Sequence, residues 1–248
     1  MPTPPIDAHD RLIVALDLAD VEEAQNMVRD LEGVVSFFKV GLTLQLALGV
    51  EHLVKSLIDD GRKVFLDYKY FDIPATLKIA VGRAADRGVS FLTIHGSSAA
   101  MRAAVEGRGT SGLKLFTVTV LTSWDRTDLI EMGYSEHSVK DLVAIRARKA
   151  LETGIDGVIA SGQEAQLIKQ ISSKLLVVTP GIRPDGYPED DQKRRTTPSA
   201  AVLAGADYLV IGRPITDAPN PRRVAEQILS EMQDAFNSLR STSPVQDL

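Results

Sequence analysis

The chain has 248 residues, 44% of them hydrophobic and 25% charged, with a formal charge of −5. That length suits one α/β barrel with a sizeable core, and the acidic balance argues against a nucleic-acid binder held by a general basic field. The chain contains no cysteine, which excludes disulfides, thiolate catalysis and cysteine-ligated metals.

Met1-Pro2-Thr3-Pro4-Pro5 has no basic segment followed by an apolar run, so no signal peptide is expected. No apolar stretch reaches the length of a membrane span, and a cytoplasmic location is the expectation. Residues 1–10 and the tail 241–248 are polar or proline-rich and are expected to be flexible, leaving 11–240 as a single catalytic domain.

Short apolar, β-branched runs recur along the chain. They are Leu12–Leu16, Phe37–Val40, Val64–Leu66, Phe91–Ile94, Leu115–Leu121, Gly157–Ala160, Leu175–Val178 and Tyr208–Ile211. Their nearly continuous apolar character is what strands buried on both faces require, as in a parallel sheet covered by helices. Amphipathic segments alternate with them. The first opens at Asp20 with Glu23 in capping-box position, and Val21, Ala24, Val28 and Leu31 mark its inner face. Pro74, Pro198 and Pro221 open later helices, and Gly33, Gly61, Gly88, Gly154 and Gly205 punctuate the approach to strands. Val224, Ile228, Met232 and Ala235 line the last helix. Eight strands alternating with helices from end to end predict a (β/α)8 TIM barrel rather than an open doubly wound sheet.

In such a barrel the chemistry sits at the C-terminal ends of the strands. Polar residues fall there repeatedly: Asp17 after the first strand, Lys39 in the second, Asp67, Lys69 and Asp72 at the third, Thr122 and Ser123 at the fifth, Arg183 after the seventh, and Gly212-Arg213 at the eighth. Each has a plainer reading. Asp17 is a candidate helix cap, Lys39 a candidate structural ion pair, and Asp72 a candidate N-cap of the Pro74 helix. Asp67 and Lys69 are two apart and so face one way on a regular strand. Together they predict a rim where two lysines and three carboxylates alternate. A lysine flanked by carboxylates stays protonated and can donate a proton.

The stretch from Gly181 to Thr197 is long for this architecture and is expected to be a lid. It begins at the seventh strand, and Gly212-Arg213 ends the eighth. Those positions form the usual phosphate site of such barrels, where Arg213 supplies a forked donor.

These residues resemble the orotidine 5′-phosphate decarboxylase family over nearly the whole chain. The resemblance is carried by Ala15-Leu16-Asp17, Phe38-Lys39-Val40-Gly41, Asp67-Tyr68-Lys69-Tyr70-Phe71-Asp72-Ile73-Pro74-Ala75-Thr76, Leu121-Thr122-Ser123, Thr179-Pro180-Gly181-Ile182-Arg183, Asp191-Gln192 and Ile211-Gly212-Arg213. It implies decarboxylation of orotidine 5′-phosphate to uridine 5′-phosphate, without cofactor or metal, in a homodimer with shared active sites. Lys69 would donate the proton, Asp67 would sit beside the departing carboxylate, and Lys39 would join the charge network and the ribose. Asp72, with Ile73 and Thr76, would complete the partner's site. Asp17 would contact ribose and Thr122 the pyrimidine, while Arg183, Gln192, Gly212 and Arg213 would hold the phosphate. The usual family pattern has Leu between the first Asp and Lys, and Phe-His before the second Asp; here these are Tyr68, Tyr70 and Phe71.

Two alternatives stand beside this reading. A Mg2+-dependent sugar-phosphate decarboxylase or aldolase shares the Asp-x-Lys-x-x-Asp run, although the Thr-Pro-Gly-Ile-Arg lid argues against it. A barrel that only binds nucleotides is the other.

Overall fold

The computed structural model describes residues 7–242. Eight parallel strands close into a barrel in chain order. They are β1 (Leu12–Ala15), β2 (Phe37–Val40), β3 (Lys63–Tyr70), β4 (Phe91–Ile94), β5 (Lys114–Val118), β6 (Gly157–Ile159), β7 (Leu176–Thr179) and β8 (Tyr208–Ile211). Closure comes from β1 pairing with β8, with Leu12 opposite Leu209 and Val14 opposite Ile211. Six of the strands match the apolar runs of the sequence to within a residue, and β5 ends at Val118, three residues before its run does. β3 is longer than its apolar run because it carries the polar segment through Tyr70.

The helices are α1 (Val21–Asp30), α2 (Val50–Asp59), α3 (Pro74–Asp86), α4 (Ser98–Arg108), α5 (Arg126–Glu131), α6 (Val139–Thr153), α7 (Gly162–Ile171), α8 (Pro198–Leu203), α9 (Arg213–Thr216) and α10 (Pro221–Thr242). Local chemistry sets their starts. The Asp20 carboxylate accepts from the Glu23 N–H at the head of α1, and the Glu23 carboxylate reaches back to the Ala19 N–H. Ser138 and Asp141 form a reciprocal capping box on α6. α3 begins with Pro74 in its first turn, where a missing N–H costs nothing.

The strands divide the core in two. Inward side chains Ile13, Phe37, Phe65, Phe91, Phe116, Val178 and Val210 fill the barrel. Phe91 is the hub, with ring centroids 4.8 Å from Phe37, 4.6 Å from Phe116 and 5.0 Å from Tyr208. Outward side chains such as Val14, Phe38, Leu66, Leu92 and Leu209 pack beneath the helices. The inward side chains fill the floor of the barrel, and a cavity opens toward the C-terminal ends of the strands.

Ala8–Asp10 form a 3-10 turn capped by Asp7, and Ala8 is buried with its N–H donated to Gln233 of α10 at 3.0 Å. Ala8 thus packs against α10 and joins the hydrophobic core. The remainder of the expected flexible segment, residues 1–6, and the tail from 243 onward lie outside the described residues. Among the described residues no helix is long and apolar enough to cross a membrane.

Candidate active site

A cavity of about 550 Å³ opens at the C-terminal end of the barrel. Asp17, Lys39, Asp67, Lys69, Thr122, Arg183, Gln192, Gly212 and Arg213 all line it. These nine come from the ends of β1, β2, β3, β5, β7 and β8 and the long loop after β7, so only barrel closure brings them together.

Lys39 continues the inward series of β2 one step above Phe37, and Asp67 does the same above Phe65. Lys39 is buried, and its Nζ donates to Asp17 Oδ1 at 2.8 Å and Oδ2 at 3.0 Å. It also stands 3.7 Å from Asp67 Oδ2. The pair needs Gly41 beside it: a β-carbon there would lie 2.6 Å from Asp17 Oδ1 and 2.8 Å from Lys39 Nζ. Asp17 is thus Lys39's partner, while the cap of α1 is Asp20.

Lys69 reaches Asp67 by a route that strand alternation does not anticipate. β3 and β4 change register, with Leu66 opposite Leu92 but Tyr70 opposite Ile94. Asp67, Tyr68 and Lys69 therefore share the single position facing Thr93, which makes a bulge. Within it Lys69 has φ +48°, a left-handed conformation that side chains other than glycine rarely take. Lys69 Nζ ends 3.0 Å from Asp67 Oδ1. Thr93 Oγ donates to the same oxygen at 2.9 Å and accepts from the Lys69 N–H at 2.9 Å.

Burial opposes ionisation of Asp67, but Lys39, Lys69 and the Thr93 hydroxyl outweigh it and hold its carboxyl below the ordinary value. The floor of the cavity is thus an ordered row of charge: Asp17, Lys39, Asp67, Lys69. Among the described residues no group of three or more His, Asp or Glu side chains stands together as a metal site.

On the opposite wall the 181–197 loop is pinned at its ends. Ile182 bridges Thr196, and the Arg183 N–H donates to the Thr196 carbonyl at 2.9 Å. Gly181 begins the loop at φ +74°, with Gln192 Oε1 3.2 Å from where a β-carbon would stand. Thr122 Oγ donates to Gln192 Oε1 at 2.6 Å, which orients that amide over the cavity. Arg183 lines the cavity but gives Nε and Nη2 to Asp190 at 2.9 and 2.6 Å, and Nη1 to the Ile182 carbonyl at 2.8 Å. Arg213 pairs with Asp191 and stands 3.3 Å from Asp190.

Asp72, Ile73 and Thr76 do not join this cavity. They lie exposed at the start of α3, where Ile73 is the N-cap and the Asp72 carboxylate accepts the Ile73 N–H at 2.7 Å. The N-cap reading of Asp72 is therefore off by one residue, since Pro74 at the first helical position makes the extended Ile73 the cap. Phe71 beside them is 73% exposed and Ile73 65%. The unusual aromatic residues have distinct places. Tyr68 and Tyr70 are half-buried, 6.1 Å apart between ring centroids, and burial pushes the Tyr68 hydroxyl up to about 12. Phe71 packs on His95 at 5.7 Å.

Some residues of the site carried no sequence signal of their own. Thr93 was one polar residue in an apolar run; its inward parity above Phe91 was the available clue. Asp190 reads as an ordinary loop carboxylate. Arg194 sat in a basic stretch, yet it is buried, 2.7 Å from Glu164, and donates to the Val120 and Leu121 carbonyls at 3.0 and 2.8 Å. It ties the loop's root to the end of β5.

Residues 10–228 match the family described as Orotidine 5'-phosphate decarboxylase / HUMPS family. The chain belongs to this family. It is 55% identical over 230 residues to orotidine 5'-phosphate decarboxylase of Nitrobacter winogradskyi, covering 92% of this chain and 95% of the relative. The enzyme of that name from Methylococcus capsulatus is 47% identical, covering 94% and 96%. A crystal structure of orotidine 5'-phosphate decarboxylase from Lactobacillus acidophilus superposes with a TM-score of 0.78 at 34% identity, over 90% of this chain and 98% of that one. The solved relative thus shares the barrel seen here.

Proposed function

We propose that this protein is a carboxy-lyase that converts orotidine 5′-phosphate to uridine 5′-phosphate and CO2 in pyrimidine biosynthesis. Relatives with that name cover almost the whole chain. The observation that carries the reading is the row Asp17–Lys39–Asp67–Lys69 on the floor of a cavity whose far wall holds Arg213.

Cleavage of the carbon–carboxylate bond leaves its electron pair on a pyrimidine carbon that delocalises it poorly. Lys69 stabilises that charge as it forms and then gives the carbon a proton, becoming a neutral amine that solvent reprotonates. Asp67 pairs with the Lys69 ammonium and stands beside the departing carboxylate, and Lys39 links the network to the ribose with Asp17. No cofactor is assigned, because the two ammonium groups supply the positive charge that the step requires. Thr122 lies toward the base. Gln192, Arg183, Gly212 and Arg213 hold the phosphate, and the 181–197 loop closes over it to exclude water.

The working form is a homodimer in which Asp72, Ile73 and Thr76 complete the partner's site. Exposed hydrophobic residues support this. Leu42, Leu46 and Leu48 after β2, and Phe71, Ile73 and Ile79 around the start of α3, follow adjacent strands and lie open to solvent.

Purified protein tests the reaction directly. The ultraviolet absorbance of orotidine 5′-phosphate should fall at one rate with or without excess chelator. Absence of turnover overturns the proposal, and turnover lost on chelation transfers it to a metal-dependent reaction.

A further inference from the structure

Lys69 is the one non-glycine residue with positive φ among the described residues. Such a conformation is unfavourable for an L-residue and persists only where its surroundings fix it. Here a single hydroxyl does so. Thr93 Oγ accepts the Lys69 N–H at 2.9 Å and donates to Asp67 Oδ1 at 2.9 Å, while Lys69 Nζ donates to that same oxygen at 3.0 Å. The contacts form a closed loop that leaves Lys69 by its backbone and returns by its side chain. Thr93 is fully buried, so water does not replace its hydroxyl. It also occupies the one β4 position that faces the whole bulge.

We propose that Thr93 is a positioning residue for the decarboxylation. Its hydroxyl holds the bulge that aims the Lys69 ammonium, and it sets the rotation of the Asp67 carboxylate so that Oδ1 serves Lys69 while Oδ2 faces Lys39. The proposal rests on Lys69 as proton donor. Valine would fill nearly the same space without the hydroxyl. The Lys69 N–H would then lose its acceptor, the left-handed turn would lose its restraint, and Asp67 Oδ1 would keep one donor of its two.

The test compares wild type, Thr93→Val, Thr93→Ser and Lys69→Ala for kcat and KM on orotidine 5′-phosphate, uridine 5′-phosphate affinity, pH profile and thermal midpoint. Thr93→Val should lower kcat about a hundredfold, the scale of a small misplacement of a reacting group, with KM and uridylate affinity close to wild type. Thr93→Ser should recover most of the loss. Burial raises the Asp67 carboxyl and the Thr93 bond helps lower it, so the acid limb of kcat should move to higher pH in Thr93→Val.

Wild-type kcat in Thr93→Val overturns the proposal, as does a Thr93→Ser variant no better than Thr93→Val. If Thr93→Val does not fold, Thr93→Ala against Thr93→Ser reads the same difference. An inactive wild type, or near-normal turnover in Lys69→Ala, removes the reading of Lys69 instead. An active wild type with an inactive Lys69→Ala and an unimpaired Thr93→Val removes only the role of Thr93.

Discussion

Asp67 divides its carboxylate between two lysines: Oδ1 lies 3.0 Å from Lys69 Nζ and Oδ2 lies 3.7 Å from Lys39 Nζ. The two ammonium groups therefore stand on either side of one negative charge, and only Lys69 is half-exposed to the cavity, since Lys39 is buried against Asp17. That asymmetry is what supports the proposal that Lys69 donates the proton. Lys69→Ala should cut kcat by about a thousandfold or more, the scale of lost general-acid catalysis. Uridine 5′-phosphate should still bind, measured by calorimetry, because the phosphate wall is untouched. Near-normal decarboxylation would sink the assignment.

Asp191 and Arg213 are paired across the cavity mouth. Arg213 is a forked donor already engaged by a carboxylate, which a phosphate would displace. Arg213→Ala should raise KM for orotidine 5′-phosphate roughly tenfold to a hundredfold, the scale of a hydrogen bond to a charged group, with a smaller effect on kcat. Asp191→Asn should lower KM instead, by leaving Arg213 with the Asp190 carboxylate as its one charged partner. An unchanged KM in Arg213→Ala would take it out of the phosphate site.

The proposed sharing of sites between two subunits predicts complementation. Lys69→Ala and Asp72→Asn homodimers should both be nearly inactive. Mixed dimers should regain activity, because one of their two sites has an intact Lys69 and an intact Asp72. Ile73→Asp should yield monomers in sedimentation experiments by placing a charge on the exposed apolar face. Mixed dimers as inactive as their parents would refute the sharing.

Stability should depend on pH through the same carboxylates. Asp67 is held below its ordinary value of 3.8 despite burial, and Asp190 is likewise held low by Arg183 against its desolvation. A carboxyl depressed in the folded state adds stability that is fully present above its unfolded value. Below pH 3.8 the unfolded chain takes up these protons first, so that stability is lost as pH falls through the lower folded values. Urea midpoints measured from pH 6 downward should drop in that range. Asp67→Asn should flatten the drop; an unaltered curve would contradict the coupling.

Phe91 should be the most sensitive position in the barrel floor. Its ring touches Phe37, Phe65, Phe116 and Tyr208. Phe91→Ala should cost about 3–5 kcal/mol by equilibrium denaturation, since a closed barrel collapses little around a cavity. A cost below about 1 kcal/mol, typical of surface changes, would mean the floor repacks.

The order and position of the barrel elements were legible in the sequence because burial on both faces forces apolar runs and helix ends require caps. Asp17, Lys39, Asp67 and Arg213 were legible as candidates, and all four line the cavity, for a related reason: charge at the end of an apolar strand has few structural uses. The bulge was not legible. No glycine marks it, and Asp67 and Lys69 would have faced the same way on a straight strand as well. Its left-handed Lys69 exists because Thr93, 24 residues onward, supplies the acceptor. The partners of Arg183 and Arg213, the burial of Arg194, and the exposure of Asp72, Ile73 and Thr76 away from the cavity likewise depend on which strand ends closure makes neighbours. Local pattern determined the elements and the chemistry available to them; distances between residues remote in the chain, and hence which charge meets which, were decided only when the barrel closed.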